Sequence, residues 1–262
     1  MTDKDAQRIA ALEAELASLR AEMQDFSYTV SHDLRASLRH ISAYAQLVQE
    51  DAGPLLTDET RGFLHTITDS ARHMGVLMDG LMELAKLGTA EMHIAPLPLL
   101  PLVQDVVSEL RLQYPQRQIE WLLPTALPSV LADATMLRRA LLAVLENAVK
   151  FTANQPNAHI SILSEPALRN EVVDADLPAQ ALVRLTVQDN GAGFNAALGG
   201  KLFHAFARLH TSKQFPGIGM GLALTRKIVE RLQGTVQTEG KVDEGCIVAI
   251  TLPAAGSQIM AL

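Results

Sequence analysis

Apolar residues near the start of the chain recur at Ile9, Leu12, Leu16, Leu19, Met23, Phe26 and Val30, in alternating steps of three and four. That is a heptad seam, and a seam sustained over this length predicts a supercoiled helix. The next apolar positions are Leu34, Leu38, Ile41, Ala45 and Val48, so the pattern takes two consecutive steps of four, from 30 to 34 to 38. Such a stutter locally unwinds a supercoil. It reads either as passage from a two-stranded coil into a wider bundle, or as a place where helix rotation gates a functional group. His32 falls inside it.

Gly53-Pro54 ends this helix. A second helix is predicted over about 57–87, with a seam at Phe63, Ile67, Ser70, Met74, Leu77, Leu81 and Leu84. Two long amphipathic helices and a short loop make a hairpin with an uncovered apolar face. A twofold partner buries such a face as a four-helix bundle, so the pattern predicts a homodimer. Residues 88–98 read as a linker. Beyond it the period changes. Helices are predicted at 102–112, at 133–151 with Asp133 as N-cap, and at 221–233 with Gly234 as the stop. Strands are predicted at 118–123, 160–164, 182–188 (Val183, Leu185 and Val187 alternating), 235–239 and 246–252. EPALRNEVVDADLPAQ, residues 165–180, reads as a long hairpin loop without an assigned role. The fold class is α followed by α/β: a coiled coil (1–24), a helical hairpin (25–88), and an α/β sandwich (97–255) with helices on one face of a sheet.

Composition narrows the function. The 262 residues are 48% hydrophobic, enough for real cores. A formal charge of −7 argues against general nucleic-acid or membrane-surface binding. The single cysteine, Cys246, excludes an intramolecular disulfide and a cysteine-based zinc cluster, and fits a reducing cytoplasm. No stretch approaches the ~18–20 apolar residues that span a bilayer, and the polar, acidic N-terminus is no signal peptide. A sensor is therefore expected on a partner or on a longer chain from which this one is a fragment.

Five short motifs carry the chemistry: SHDLRASLRH around His32, ENAVKFT (146–152), DNGAGF (189–194), FHAFARLH (203–210) and GIGMGLALTRKIVE (217–230). Each is weak alone. An exposed His-Asp pair is commonly just solvated, Asp-Asn-Gly is a common turn, and a glycine triplet occurs in many loops. In this order and spacing, over about residues 20–253, they resemble the transmitter region of sensor histidine kinases. In that family a phosphoacceptor hairpin precedes an ATP-binding domain of the gyrase, heat-shock-90, kinase and MutL type. The resemblance is strongest to phytochrome-like soluble kinases, whose helix also reads His-Asp-Leu-Arg and whose lid carries Phe-x-x-Phe-x-Arg-Leu-His.

The resemblance implies an ATP-dependent protein histidine kinase with Mg2+ as its metal. His32 is the implied nucleophile and Asp33 the acid that orients its ring and accepts a proton. Asn147 would ligate magnesium through its side-chain oxygen, and Lys150, one turn on, would reach phosphate; Glu146 is a weaker candidate. Asp189 would accept a hydrogen bond from the adenine amino group, with Gly191 and Gly193 letting the backbone approach the base. Gly217, Gly219, Gly221 and Leu222 would present amides and a helix N-terminus to the phosphates. Phe203 and Phe206 would anchor a lid over 195–216, in which Arg208 or Lys213 could meet phosphate. The implied partner is the receiver domain of a response regulator. The chain departs from the family at Ser37, where proline is usual, at Ala143, where a second asparagine is usual, and at Cys246, where Ser or Thr is common. It departs also at Ala36, where kinases that dephosphorylate their partner carry Thr or Asn. Competing readings are a nucleotide-binding scaffold that regulates a partner kinase, and an ATP-driven clamp or a serine kinase, against which the hairpin bearing His32 argues.

Overall fold

The computed structural model describes residues 3–168, 181–211 and 214–256. The chain divides after Ala90 into two compact units.

The first unit is a helical hairpin. Helix α1 runs from Asp3 to Ala52 without interruption, a 3₁₀ turn follows at Gly53–Leu55, and α2 spans Asp58–Thr89. The Gly-Pro pair stops α1 as expected. Thr57 then starts α2, its hydroxyl accepting the Thr60 amide at 3.2 Å, with Asp58 and Glu59 favourably placed at the positive helix end. The buried stripe of α1 is Ser31, Leu38 and Ala45, at seven-residue spacing, and α2 buries Ala71, Gly80, Met82 and Leu87. These are mostly small residues. Many of the bulkier seam residues stay outside. Val30, Leu34, Ile41 and Val48 on α1, and Phe63, Ile67, Met74 and Leu81 on α2, are all exposed. The hairpin therefore closes on a narrow face and leaves a broader apolar one uncovered. The side chains of Ile9, Leu16, Met23 and Phe26 lie outside the described residues.

The second unit is the α/β sandwich. Its main sheet has the order β2-β4-β5-β7-β6, from β2 (Ile119–Leu122), β4 (Ala158–Leu168), β5 (Ala181–Asp189), β6 (Thr235–Lys241) and β7 (Gly245–Pro253). Among the described strands only β2 and β4 pair in parallel. Helices α3 (Leu99–Gln113), α4 (Ala134–Phe151) and α5 (Gly221–Arg231) supply the rest of the core. The period-two pattern of β5 buries Val183, Leu185 and Val187, and Leu141 and Leu145 of α4, Val107 of α3 and Ile228 of α5 are buried as well. Asp189 continues that inward row at the strand end, where register places it between Ile160 on β4 and Cys246 on β7.

Two strands differ from the sequence reading. Residues 88–98 are not all linker, because β1 (Ala95–Pro98) pairs antiparallel with β3 (Ser129–Ala132) in a separate two-stranded sheet. Pro96 and Pro98 lack donors and read as linker residues, yet an edge strand tolerates them where no ladder donor is required. Helix α3 likewise starts earlier than the prediction, at Leu99, because Pro101 falls in its first turn, where a missing N–H costs nothing. Residues 165–168 of the predicted 165–180 loop belong to β4, which continues to Leu168 opposite Ala181, and residues 169–180 lie outside the described part.

Candidate functional site

On the hairpin, His32 is exposed, with its Nδ1 3.2 Å from the Asp33 carboxylate. In the tautomer that carries its proton on Nδ1, Asp33 accepts that proton and Nε2 keeps its lone pair. His65 also has an acid partner, Asp69, but there the contact is made by Nε2, at 3.4 Å. The residue before His32, Ser31, is buried, which fixes how that turn sits on the hairpin. Arg35 reaches Asp79 of α2 at 2.6 Å and ties the two helices just past the histidine. Ser37 donates to the Asp33 carbonyl at 3.1 Å. Helix α1 therefore passes straight through the position where proline is usual.

In the α/β unit a cavity of about 580 Å³ is bounded by α4, the end of β5, the 193–194 turn and the segments 207–210 and 214–222. Asp133 caps α4, accepting the Met136 amide at 2.9 Å. Arg117 closes the other end, donating to the carbonyls of Val149 at 3.0 Å and Thr152 at 2.9 Å. The helix end so fixed carries Asn147, Lys150 and Phe151 into the cavity wall, where the Lys150 ammonium donates to Asn147 Oδ1 at 2.9 Å. Burial, and then the nearby Arg208 guanidinium, lower the Lys150 pKa, against the opposing pull of Glu146. Glu146 also lines the cavity, its carboxyl pushed up by burial and by Glu109.

At the other side, Asp189 is buried, with Oδ1 accepting the Gly191 amide at 2.8 Å. Burial pushes its pKa up to about 6, against the lowering effect of the Gly191 and Cys246 amides. The glycines around it are required by contact. A Cβ on Gly191 would stand 2.6 Å from the Phe151 carbonyl oxygen, and one on Gly193 (φ 55°) would stand 1.8 Å from that of Lys241. Gly245, which sequence reasoning did not single out, belongs with them, since a Cβ there would lie 1.9 Å from the Asp189 carbonyl oxygen. The Cys246 thiol, 3.4 Å from the Thr238 hydroxyl, is pushed up to about 12, mainly by burial, and stays an uncharged wall group.

Of the site residues read from sequence, Asn147, Lys150, Asp189, Gly193, Gly217, Gly219, Gly221 and Leu222 line this one cavity. Gly191 stands behind Asp189 rather than in the wall. Phe206 is also outside the lining, with φ 65° and the residue 38% exposed. Its contribution is its backbone turn: a Cβ on Gly219 would come within 2.9 Å of the Phe206 carbonyl carbon. Phe215 is buried and edge-on to Phe151 at 5.0 Å, with the His210 ring 5.4 Å from Phe151. Sequence analysis missed this trio. The available signal was Phe151 directly after Lys150 at the end of an apolar helix face. Lys213 lies outside the described residues. Among the described residues no group of three or more His, Cys, Asp or Glu side chains could hold a metal ion, and no helix is long and apolar enough to cross a membrane.

A family model described as the His Kinase A (phospho-acceptor) domain matches residues 22–90, and one described as the histidine kinase-, DNA gyrase B- and HSP90-like ATPase matches residues 132–256. The chain is a sensor histidine kinase transmitter region. Among curated proteins this transmitter region is similar to cyanobacterial phytochrome A from Nostoc sp., 26% identical over 256 residues, which is 97% of this chain and 32% of the relative. It is also similar to the phytochrome-like protein Cph1 from Synechocystis sp., 27% identical over 95% of this chain and 32% of the relative. The transmitter thus spans about a third of these relatives (32%). Among solved structures it is similar to full-length ShkA in complex with AMPPNP, with a TM-score of 0.57 and 26% identity, covering 90% of this chain and 47% of that one.

Proposed function

We propose that this transmitter phosphorylates its own His32 from Mg-ATP and passes the phosphoryl group to an aspartate on the receiver domain of a separate response regulator. The observation that carries this reading is one cavity lined by the buried Asp189 carboxylate, the Lys150 ammonium and a glycine loop, on a chain whose exposed His32 has Nδ1 engaged by Asp33. Asp189 accepts from the adenine amino group, and Phe151 offers the base an aromatic wall. Lys150, the loop amides and the start of α5 neutralise phosphate charge. The donor set suits magnesium only with nucleotide present. Asn147 Oδ1 is a hard oxygen ligand, no acidic cluster stands ready among the described residues, and a cation of this kind takes its remaining ligands from phosphates and water. Bound there, it would offset charge on the phosphates.

In the transfer step Nε2 of His32 forms a bond to the γ-phosphorus while the bond to the β,γ-bridging oxygen breaks, and ADP leaves. Asp33 holds the Nδ1 proton and stabilises the charge that develops on the ring. In the second step the N–P bond breaks as a regulator carboxylate oxygen takes the phosphoryl group. We place the assembly as a homodimer through residues 25–88, extended by the coil at 1–24, with the ATP-binding unit over 97–255 and the whole in the cytoplasm. The uncovered face of Phe63, Ile67, Met74 and Leu81 supports the dimer.

The test is incubation with magnesium and ATP labelled on its γ-phosphate. Label is expected on the protein, none is expected from ATP labelled on the α-phosphate, and chelation of magnesium should abolish incorporation. Absence of γ-label with intact ATP binding would leave the nucleotide-binding scaffold as the reading.

A further inference from the structure

Arg208 does not stand free in the cavity wall. One terminal nitrogen of its guanidinium donates to the Phe215 carbonyl at 2.8 Å and the other to the Gly217 carbonyl. Its stem packs on the same loop, since a Cβ on Gly219 would lie 3.0 Å from Arg208 Cγ and 2.5 Å from the Ala207 carbonyl oxygen. The loop it holds has φ 130° at Gly217 and 74° at Gly219. A glycine run of this kind has more backbone freedom than any other sequence.

We propose that Arg208 is a positioning residue that braces this glycine loop for phosphate, its guanidinium committed to backbone carbonyls rather than to the nucleotide. The inference rests on the nucleotide reading of the cavity. In a planar trans peptide the carbonyl and the following amide point in opposite directions. Capture of the Gly217 carbonyl therefore fixes the direction of the Ile218 amide, in a loop that lines the cavity and whose Gly217 lies against Lys150, 3.6 Å from Nζ to a Cβ placed there. Preset amides meet an oxyanion without reorganisation at the moment of binding. The fork matters as much as the charge, because two carbonyls need two coplanar donors held at fixed spacing. Lysine supplies a point charge with no such fork. The brace also leaves its charge close to Lys150, so two cations flank the phosphate end of the cavity.

The experiment is calorimetric titration of the full chain and its Arg208→Lys and Arg208→Gln variants with adenosine, with Mg-ADP and with Mg-AMPPNP. Both variants are expected to lose about tenfold in affinity for both nucleotides, the scale of one lost charge-assisted hydrogen bond. Adenosine, which has no phosphate, should bind all three proteins alike. Amide exchange at Ile218 and Gly219 should quicken in Arg208→Lys. Wild-type nucleotide affinity in Arg208→Lys would overturn the brace. So would a loss confined to AMPPNP, which marks direct contact with the γ-phosphate, or a parallel loss of adenosine, which marks general support of the pocket. Failure of the wild-type protein to bind any of the three would sink the nucleotide reading itself, whereas normal wild-type binding with silent variants would sink the brace alone.

Discussion

In the proposed reading base recognition turns on Asp189, and burial of that carboxyl is then expected to make recognition pH-dependent. The carboxyl is raised to about 6 by burial, so in the nucleotide-free protein it favours folding most below the unfolded value near 3.8, and that contribution is lost as pH rises through about 6. Binding runs the opposite way, because acceptance of an amino proton needs the ionised form. Adenosine affinity is expected to fall about tenfold between pH ~7.5 and ~5, and Asp189→Asn should flatten this profile while weakening binding about 10–100-fold. Calorimetry across that range checks both, and an unchanged affinity in Asp189→Asn would remove the residue from the site. Asp189 was legible because a strand end followed by two glycines is a local pattern. The role of Phe206 was not, because its effect comes through φ and a contact with Gly219, and neither is written in residue type. The Phe151–His210–Phe215 trio was hidden for the same reason, as its members meet only when a distant loop folds onto the end of α4.

At the scale of elements, caps and faces decide stability. Asp133 both caps α4 and accepts the His93 amide at 2.8 Å, joining the chain before β1 to the helix that carries the site. Against the cost of burial, backbone donors from Met136, His93 and Thr135 hold its carboxyl below the ordinary range. Its stabilising effect is thus present above the unfolded value of 3.8 and lost as pH falls below it. Asp133→Ala should cost about 1–2 kcal/mol, read by urea unfolding followed through Trp121, the only tryptophan and a residue of β2. On the hairpin, Leu81 lies on the face that α1 leaves uncovered. Leu81→Glu should convert a dimer to monomer in sedimentation at micromolar concentration, because an unpaired buried charge is strongly destabilising. A wild-type monomer with full kinase activity would contradict the arrangement. The helices, their seam and five strands were legible from periodicity. Strands β1 and β3 were not, since four residues carry too few alternations to register, and β1 also holds Pro96 and Pro98. Nor could the seam reveal which of its residues face the sister helix and which face outward.

For the whole molecule, the proposed direction of phosphoryl flow rests on what surrounds His32. Hydrolysis of an aspartyl phosphate needs a water held in line, and Ala36, one turn after the histidine, has no group to hold it. Ser37 is ~100° around the helix and is already bonded to the Asp33 carbonyl. The protein is therefore expected to phosphorylate its regulator and dephosphorylate it weakly, and Ala36→Thr should raise the phosphatase rate, measured as decay of purified phosphorylated regulator with ADP present. A large acceleration by the unmodified protein would show that another group positions the water. Every step in this account passes through His32. The most direct test is autophosphorylation with γ-labelled ATP in the wild-type protein beside His32→Gln. The expected result is label that is lost in acid and kept in base, and that is absent from His32→Gln while ATP binding is retained. Label that survives acid, or that persists in His32→Gln, would contradict it.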